Sequence, residues 1–578
     1  MSDCKVIVYG NGLQAVFAAC KAASQITSGK VLLVVPDTTG KLGGIVTVGG
    51  QNYWDQEGTA RADFQQKGSF YYTFSDYLFD KNGNKVSDYA GKGYSTDTLA
   101  QKFATMVGKR TNIEVMYRTD ICDFATTGSP YRITSVTLKG IERNSSGYIV
   151  WKNETGVVKT GDIFVDASEE GRLARMANTS VTVGRYDWPW SENGKQLLDG
   201  ADSTGRQQAA TLMFKIKGVV PPAAPPSGTD RIVDANGAEW DYFYRSQNAS
   251  GSTYRSDGKC CESAGGRVGL VNPNGPIKTF NDSHGGRYAF KGYNMARDGY
   301  DSDEWWINTL MIFHVDGRAN ERDVGTKFYP NNVVGGCWNV DKSWAEANNL
   351  LNNTTERKTI TECIQSLGPQ FTNAELVIRN GKVVTGEVLY LRETVHMSDV
   401  STNRAHGTED TNYHITMTAS KDASTSEAAQ TGADLAYKPT AVGVIYYGTD
   451  MHPYKIEEMK VNGNYVWGTE YTRDSSKSPP KPVYVPYNAL TTRYVANLLL
   501  PGYAANMCSY AWAKARVAPN LAVLGDAAGV AAGYCAEYNA SSSTKKWPYN
   551  LSSADITTLR TRLKGQDVRL DKKSYSNS

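Results

Sequence analysis

Histidine and cysteine are scarce and scattered in this chain. The six histidines (His284, His314, His396, His406, His414, His452) show no metal-ligand spacing, so no metal is expected. The nine cysteines are odd in number and form no C-x-x-C. That argues against a zinc site or a disulfide framework and for a reducing compartment. The adjacent Cys260 and Cys261 read as two loop thiols or as a redox dithiol. No apolar run is long enough to span a bilayer, and no basic n-region precedes the first one. No signal peptide, no membrane and a cytoplasmic location are therefore expected. Charge of one sign is also lacking: 62 Lys and Arg against 59 Asp and Glu leave +3, with no basic block. Nucleic acid is not an expected partner.

What is present is a folded, turn-rich composition. Aromatics make up 11% of the 578 residues and glycine numbers 55, enough chain for more than one core. Near the start, Lys5 to Tyr9 is a short apolar run, as a buried parallel strand should be. Gly10-Asn11-Gly12 follows, then the Ala-rich Leu13 to Ala23. The pattern is G-x-G-x-x-A. Gly10 permits a tight turn, Gly12 lets the backbone approach a diphosphate, and Ala15 lets the helix lie close on the strand. The helix N-terminus would hold the phosphates. A small-residue packing turn is the rival reading. Val31 to Val35 is a second buried strand, giving a strand–helix–strand unit. At its end an acid should bind ribose, and Val35 cannot. Either Asp37 reaches back to the ribose, or it is a turn former after Pro36.

Lys41 to Asn52 is a glycine-punctuated loop, Thr96 to Lys109 a helix, and Asn112 to Ala125 and Tyr131 to Lys159 strands and hairpins. Gly161 to Ser168 is a strand entering a small-residue turn. From about Tyr186 to Gly368 the chain turns rich in Gly, Asn, Trp and Pro, with Pro221 to Pro226 as a stiff spacer and Trp344 to Leu367 as one long helix. Ser475 to Pro482 reads as a loop, Asn520 to Leu524 as a strand before Gly525, and Asp571 to Ser578 as a loose tail.

Taken in order, several segments resemble the FAD-dependent oxidoreductases with a glutathione-reductase-like flavin domain. Gly10-Asn11-Gly12 looks like the diphosphate turn. Leu42-Gly43-Gly44-Ile45-Val46-Thr47 resembles L-G-G-x-x-T, and Asp166 to Ala174 (DASEEGRLA) resembles D-A-T/S-G-D-G-x-L-A. Thr211 to Phe214 resembles T-L-M-F, Leu391 to Thr394 I-R-E-T/S, and Asp450-Met451-His452 D-x-H. Val485 to Leu490 resembles I-P-Y-R-x-L, Asn497 to Gly502 N-L-L-V-P-G, and Gly525 to Ala532 G-Q-A-A-G-x-A-A.

The resemblance implies an α/β fold: an FAD/NAD(P)-binding three-layer Rossmann-like domain, discontinuous in sequence. Its parts would be 1–185, 376–420 and 491–565, with a mixed α+β substrate domain in 186–375 and 421–490 and a flexible tail at 566–578. It implies FAD as cofactor, held by Gly10, Gly12, Leu13, Ala15, Asp37, Leu42, Gly43, Gly44, Thr47, Ile121, Ala167, Ser168, Gly171, Gly502, Gly525, Asp526, Ala528, Gly529 and Val530. Gly525 to Gly529 would aim a helix N-terminus at the flavin. Arg392, Asp450 and His452 would face the substrate: Arg392 to hold a carboxylate or flavin charge, His452 to move a proton, Asp450 to orient it. For each, a structural hydrogen bond or turn cap competes. The implied activity is hydride transfer from a small polar substrate to flavin. No second G-x-G-x-x-G supports a nicotinamide partner, and a homo-oligomer or larger assembly stays open.

The chain departs from the family at Val35 (usually Glu), Tyr503 (usually Arg or Asp), Asp526 (usually Gln) and Asn11 (usually small). Losing one charge-assisted hydrogen bond costs about 1.5–3 kcal/mol. Two such losses would leave FAD weakly held or absent. That motivates the alternative: a structural or assembly subunit that keeps a flavoprotein fold.

Overall fold

A computed structural model describes residues 3–53, 68–70, 73, 93–184, 206–220, 231–233, 239–245, 263–266, 270, 272, 274–299, 302–330, 338–399, 413–416, 419–420, 432–461, 463–465 and 481–572. The Pro221–Pro226 spacer, Cys260 and Cys261, and residues 475–480 lie outside these.

The first sheet is built from β1 (Cys4–Tyr9), β2 (Val31–Val35), β3 (Ile113–Tyr117), β4 (Thr119–Thr127), β5 (Arg132–Arg143), β6 (Ile149–Trp151) and β7 (Val157–Asp166). Its order is β3–β2–β1–β7–β5–β4, with Leu498–Leu499 alongside β7 and β6 beside β5. The β3, β2, β1 and β7 strands run parallel, and β5 and β4 turn antiparallel. A central parallel strand is covered on both faces, so β1 and β2 read as unbroken apolar runs. Val6, Val8, Leu33 and Val165 join a core with the helices. Ile7, Leu32, Val34 and Phe164 face the other way, onto Ile121, Ile133, Val136 and Leu138 of β4 and β5. The result is three layers: helices, parallel sheet, antiparallel strands.

Helix α1 (Leu13–Gln25) crosses from β1 to β2 and packs against a long buried helix, Ala518–Ser541. The seam is made of glycines one helical turn apart. A Cβ on Gly525 would lie 2.6 Å from the Gln14 carbonyl oxygen, and one on Gly529 2.4 Å from that of Ala18. On Gly533 it would lie 2.7 Å from that of Ala22. Only hydrogen fits between these backbones. This corrects two sequence expectations: Asn520 to Leu524 is not a strand, and no helix begins at Gly525. The helix starts at Ala518, with Pro519 in its first turn where a missing N–H costs nothing.

The second sheet is antiparallel, in the order 231–233, 239–245, 263–266, Tyr288–Arg297, Trp305–Ile312, Phe214–Lys217 and Glu375–Leu376. Trp344 to Leu367 is two helices, not one: Val340–Asn352 and Thr354–Gln365 meet at Asn353. The Asn353 side chain accepts from the amides of Thr355 and Glu356, so it caps the second helix where the first ends. Part of the stretch expected as a flexible tail is packed, while residues 573–578 lie outside the described ones. Val568 and Leu570 enter the core, and Lys572 is fully buried in an ion pair with Asp434.

Charge locks the sheet to the 320–323 segment. Arg172 grips Asp323 with both forks (2.6 and 2.9 Å) and lies 3.3 Å from Asp120. Arg322 pairs with Asp120 from the other side. The Tyr9 hydroxyl, at the end of β1, donates to Asp120 (2.8 Å) and Glu170 (3.1 Å).

The glycine seam makes a directional prediction. Helix propensity alone would make Gly529→Ala stabilising by about 1 kcal/mol. The 2.4 Å approach to the Ala18 carbonyl makes overpacking dominate, so a net loss of roughly 1–3 kcal/mol is expected in urea denaturation. A stabilised variant would refute the seam.

Candidate functional site

One cleft opens where β1, β2 and β7 end. Gly10, Gly12, Asp37, Gly44, Ala167 and Ser168 all line it, within a space of about 840 Å³ counted with the solvent at its mouth. Backbone chemistry shapes it. Gly10 has φ 143°, and a Cβ there would lie 2.7 Å from the Ala167 carbonyl oxygen. Gly12 caps α1 with no side-chain acceptor, leaving first-turn amides to another partner. The L-G-G loop is laced onto this turn: the Gly43 amide donates to the Asn11 carbonyl at 3.0 Å. Gly44, at φ 55°, would bring a Cβ within 3.3 Å of the Gly12 backbone. Leu42, Gly43 and Thr47 stand behind it. The Thr47 hydroxyl is used inside the loop, donating to the Leu42 carbonyl at 2.7 Å.

Asp37 makes the turn and still keeps one oxygen back. Its Oδ1 accepts from the amides of Thr39 (2.7 Å) and Gly40 (3.2 Å), forming the turn after Pro36. Its Oδ2 is buried with no hydrogen-bond partner among the described residues, and the residue lines the cleft. Burial raises this carboxyl, the three turn hydrogen bonds opposing it only in part. Asn11 Oδ1 is a second buried acceptor without a partner there. An acid thus stands two residues after Val35, held in place by its own turn.

Sequence reading missed much of the wall: Glu169, Glu170, Arg322, Arg143, Trp344 and Asp341. Arg143 stacks on the Trp344 ring at 3.8 Å. These two come from distant segments, and no local pattern couples them. Glu169 did leave a signal, since it stands where D-A-S-G-D-G has glycine. Burial, with Glu170 beside it, pushes the Glu169 carboxyl up to about 8.

Other expected cofactor residues lie elsewhere. Leu13 and Ala15 are buried in α1 beneath the cleft. The Ile121 carbonyl accepts from Arg172 (3.0 and 2.7 Å). Gly171 (φ 60°) packs on Ala504, and Gly502 presses on the Ser168 carbonyl. Gly525, Asp526, Ala528, Gly529 and Val530 sit in the buried middle of the long helix. No helix N-terminus is aimed from there, and the glycines are taken up by packing on α1. Asp526 accepts the Ser69 amide at 2.8 Å, while its Oδ1 has no hydrogen-bond partner among the described residues.

Arg392, Asp450 and His452 do come together behind the cleft wall at Leu391, Arg392 fully buried and the other two half-buried. His452 Nε2 lies 3.3 Å from Asp450 Oδ2, and Arg516 pairs with the same oxygen at 2.7 Å. Arg516 also donates to the Tyr390 hydroxyl at 2.7 Å, and the Arg392 guanidinium lies 4.7 Å from the Tyr390 ring centre. Arg392 donates to the Ala209 carbonyl at 2.6 Å, and its Nε has no partner among the described residues. Burial first, then Arg392, pushes the His452 imidazole down to about 3. Burial lowers Arg392 to about 10. Burial opposes ionisation of Asp450, but His452 and Arg516 hold its carboxyl below the usual range. The cluster therefore carries two cations, one anion and a neutral imidazole.

The FAD dependent oxidoreductase family model matches residues 5–544, spanning both sheets and the cleft. The chain belongs to that family. No curated protein matches it. Among solved structures it is similar to the myxobacterial chondrochloren halogenase, a variant of FAD-dependent halogenases, at 11% identity and TM-score 0.29. That match covers 70% of this chain and 66% of the halogenase, just under two thirds. It is also similar to p-nitrophenol 4-monooxygenase from Pseudomonas putida (8% identity, 66% and 72% covered, TM-score 0.28). A flavin-dependent monooxygenase solved with FAD and substrate matches at 9% identity, 53% and 42% covered, TM-score 0.26. At these values no residue correspondence follows.

The cofactor of this family is FAD, and the cleft fits its nucleotide half. Main chain at Gly10, Gly12 and Gly44 lines the cleft and suits a diphosphate, with the Gln14 side chain lying against Gly12; the Asp37 Oδ2, without a hydrogen-bond partner among the described residues, suits a ribose hydroxyl. Asp37→Ala should therefore weaken FAD binding about ten- to a hundredfold in flavin-fluorescence titrations. Affinity equal to that of the parent protein would remove Asp37 from the site.

Proposed function

We propose that this member of the FAD dependent oxidoreductase family is an enzyme that oxidises a small polar substrate by hydride transfer. The observation that carries the reading is the cleft itself: main chain at Gly10, Gly12 and Gly44 beside two buried acceptors without hydrogen-bond partners among the described residues. Bound FAD supplies the hydride acceptor. In this reading the turn amides at Gly10 to Gly12 hold the diphosphate, Asp37 fixes a ribose hydroxyl, and Arg143 on Trp344 closes the outer wall. The sheet of β1–β7 is the FAD-binding part, and the antiparallel sheet is the substrate part.

The Arg392 cluster supplies the substrate side. Its two cations, one anion and neutral His452 suit a substrate carrying an oxyanion, which would balance the surplus charge. Arg392 orients that group through its Nε and forks. With an imidazole near 3, His452 is a poor base until an anion offsets Arg392; it then takes a proton more readily. Asp450 keeps the imidazole in register from Nε2.

The departures at Val35 and Tyr503 are met in part by this chain's own geometry. Asp37 stands in for Val35. The Tyr503 hydroxyl donates to the Leu391 carbonyl at 2.6 Å and so braces the wall in front of Arg392.

Purified protein is expected to be yellow, to show the bands of oxidised flavin and to bleach on reduction. Protein that stays colourless and takes up no added FAD would end this reading. Charge adds a pH dependence. The Glu169 carboxyl is neutral below about 8 and becomes an anion above it, beside the place proposed for a diphosphate. FAD affinity should be steady at neutral pH and fall as pH rises past that value, by up to about tenfold per unit. Glu169→Gln should flatten the profile. An unchanged fall in that variant would show that another group is responsible.

A further inference from the structure

A second cleft lies across the buried charge network from the first. Glu170 and Arg322 line the nucleotide cleft, whereas Arg172 and its neighbour Arg175 line the second. It encloses about 1000 Å³, counted with the solvent at its mouth. Phe124 of β4, Arg318, Lys327 and Phe328 complete the surface, and no acid lines it among the described residues.

We propose that this second cleft binds a planar small molecule bearing an oxyanion, independently of FAD. The acids that serve these cations sit behind them. Arg318 is fixed by Asp316 through its Nε (3.0 Å) and Nη2 (2.7 Å), which sets the plane of its fork. Arg175 donates to the carbonyls of Phe328 (3.0 Å) and Glu170 (3.4 Å) and pairs with the Glu170 carboxylate at 3.6 Å. Burial, and the nearby charges of Arg318 and Arg172, disfavour the charged form of Arg175 despite Glu170. An oxyanion between the forks relieves that crowding and takes charge-assisted hydrogen bonds in the plane the forks already hold.

The other half of the surface is aromatic. The Phe124 and Phe328 rings stand 6.3 Å apart at 53°. Lys327 Nζ lies 5.7 Å from one ring centre and 4.9 Å from the other. Its ion pair with Asp123, 3.3 Å, joins two exposed groups and is cheaply exchanged. A ring laid against the phenylalanines would place its anionic group between Lys327 and the guanidinium groups.

The test is calorimetric titration of the full chain with excess FAD present. The probes are phenyl phosphate, benzoate and uncharged benzyl alcohol. At least one anion is expected to bind with unit stoichiometry and without releasing flavin, at least about tenfold more tightly than benzyl alcohol. Which anion binds tells whether the cleft prefers phosphate or carboxylate. Lys327→Glu, an exposed change that leaves the fold intact, and Arg175→Gln should each weaken binding by about tenfold. Failure of both anions to bind, binding equal to that of benzyl alcohol, displacement of FAD, or undiminished binding to Lys327→Glu would each overturn the proposal.

Discussion

Everything near the candidate site rests on charge sealed between the sheet and the 320–323 segment. Asp120, Glu170 and Asp323 are held by Arg172, Arg322 and Arg175, with Tyr9 donating to two of the acids. Removing such groups from water costs several kcal/mol per ion, and only close mutual pairing offsets it. The pairing here is close: Arg172 meets Asp323 in a two-pronged contact and also donates to the Ile121 carbonyl. The network cannot loosen at one acid without stranding another. It therefore acts as a fixed wall, with the nucleotide cleft on one side and the cationic cleft on the other.

The two sides use opposite chemistry. The nucleotide cleft joins main chain at Gly10, Gly12 and Gly44 to two acids that burial raises, Asp37 and Glu169. In the proposed reading, amides at the start of α1 donate to a diphosphate and the buried Asp37 oxygen meets a ribose hydroxyl. Behind Leu391, the Arg392 cluster sets two guanidinium groups against the one Asp450 carboxylate, with Arg392 itself fully buried. An anionic group gains most where no solvent competes, so in the proposed reading the two regions divide cofactor and substrate by charge.

Legibility differed by scale. The β1–α1–β2 unit was readable because a parallel strand buried on both faces must be apolar, and because glycines at a tight turn are not replaceable. The gathering of Arg392, Asp450 and His452 was readable only through resemblance. Gly525 to Gly529 misled for a physical reason. Glycines that open a helix toward a ligand and glycines that let two helices touch look alike in one dimension. The contact that decides between them is with α1, near the opposite end of the chain, where a Cβ on Gly525 would strike the Gln14 carbonyl.

By itself, the sequence determined the β1–α1–β2 unit and its glycine turn. Apolar runs, an Ala-rich helix and paired glycines are local properties, and local sterics enforce them. Tertiary structure alone decided which groups are left without partners. Asp37 Oδ2 and Arg392 Nε stand out because the fold buries them and, among the described residues, gives them no hydrogen-bond partner. It also decided that Arg143 meets Trp344, that Asp37 and Glu169 line one cleft, and that four basic residues and two phenylalanines share another. Burial and pairing are properties of neighbours brought together from distant segments, and no single stretch of chain contains them.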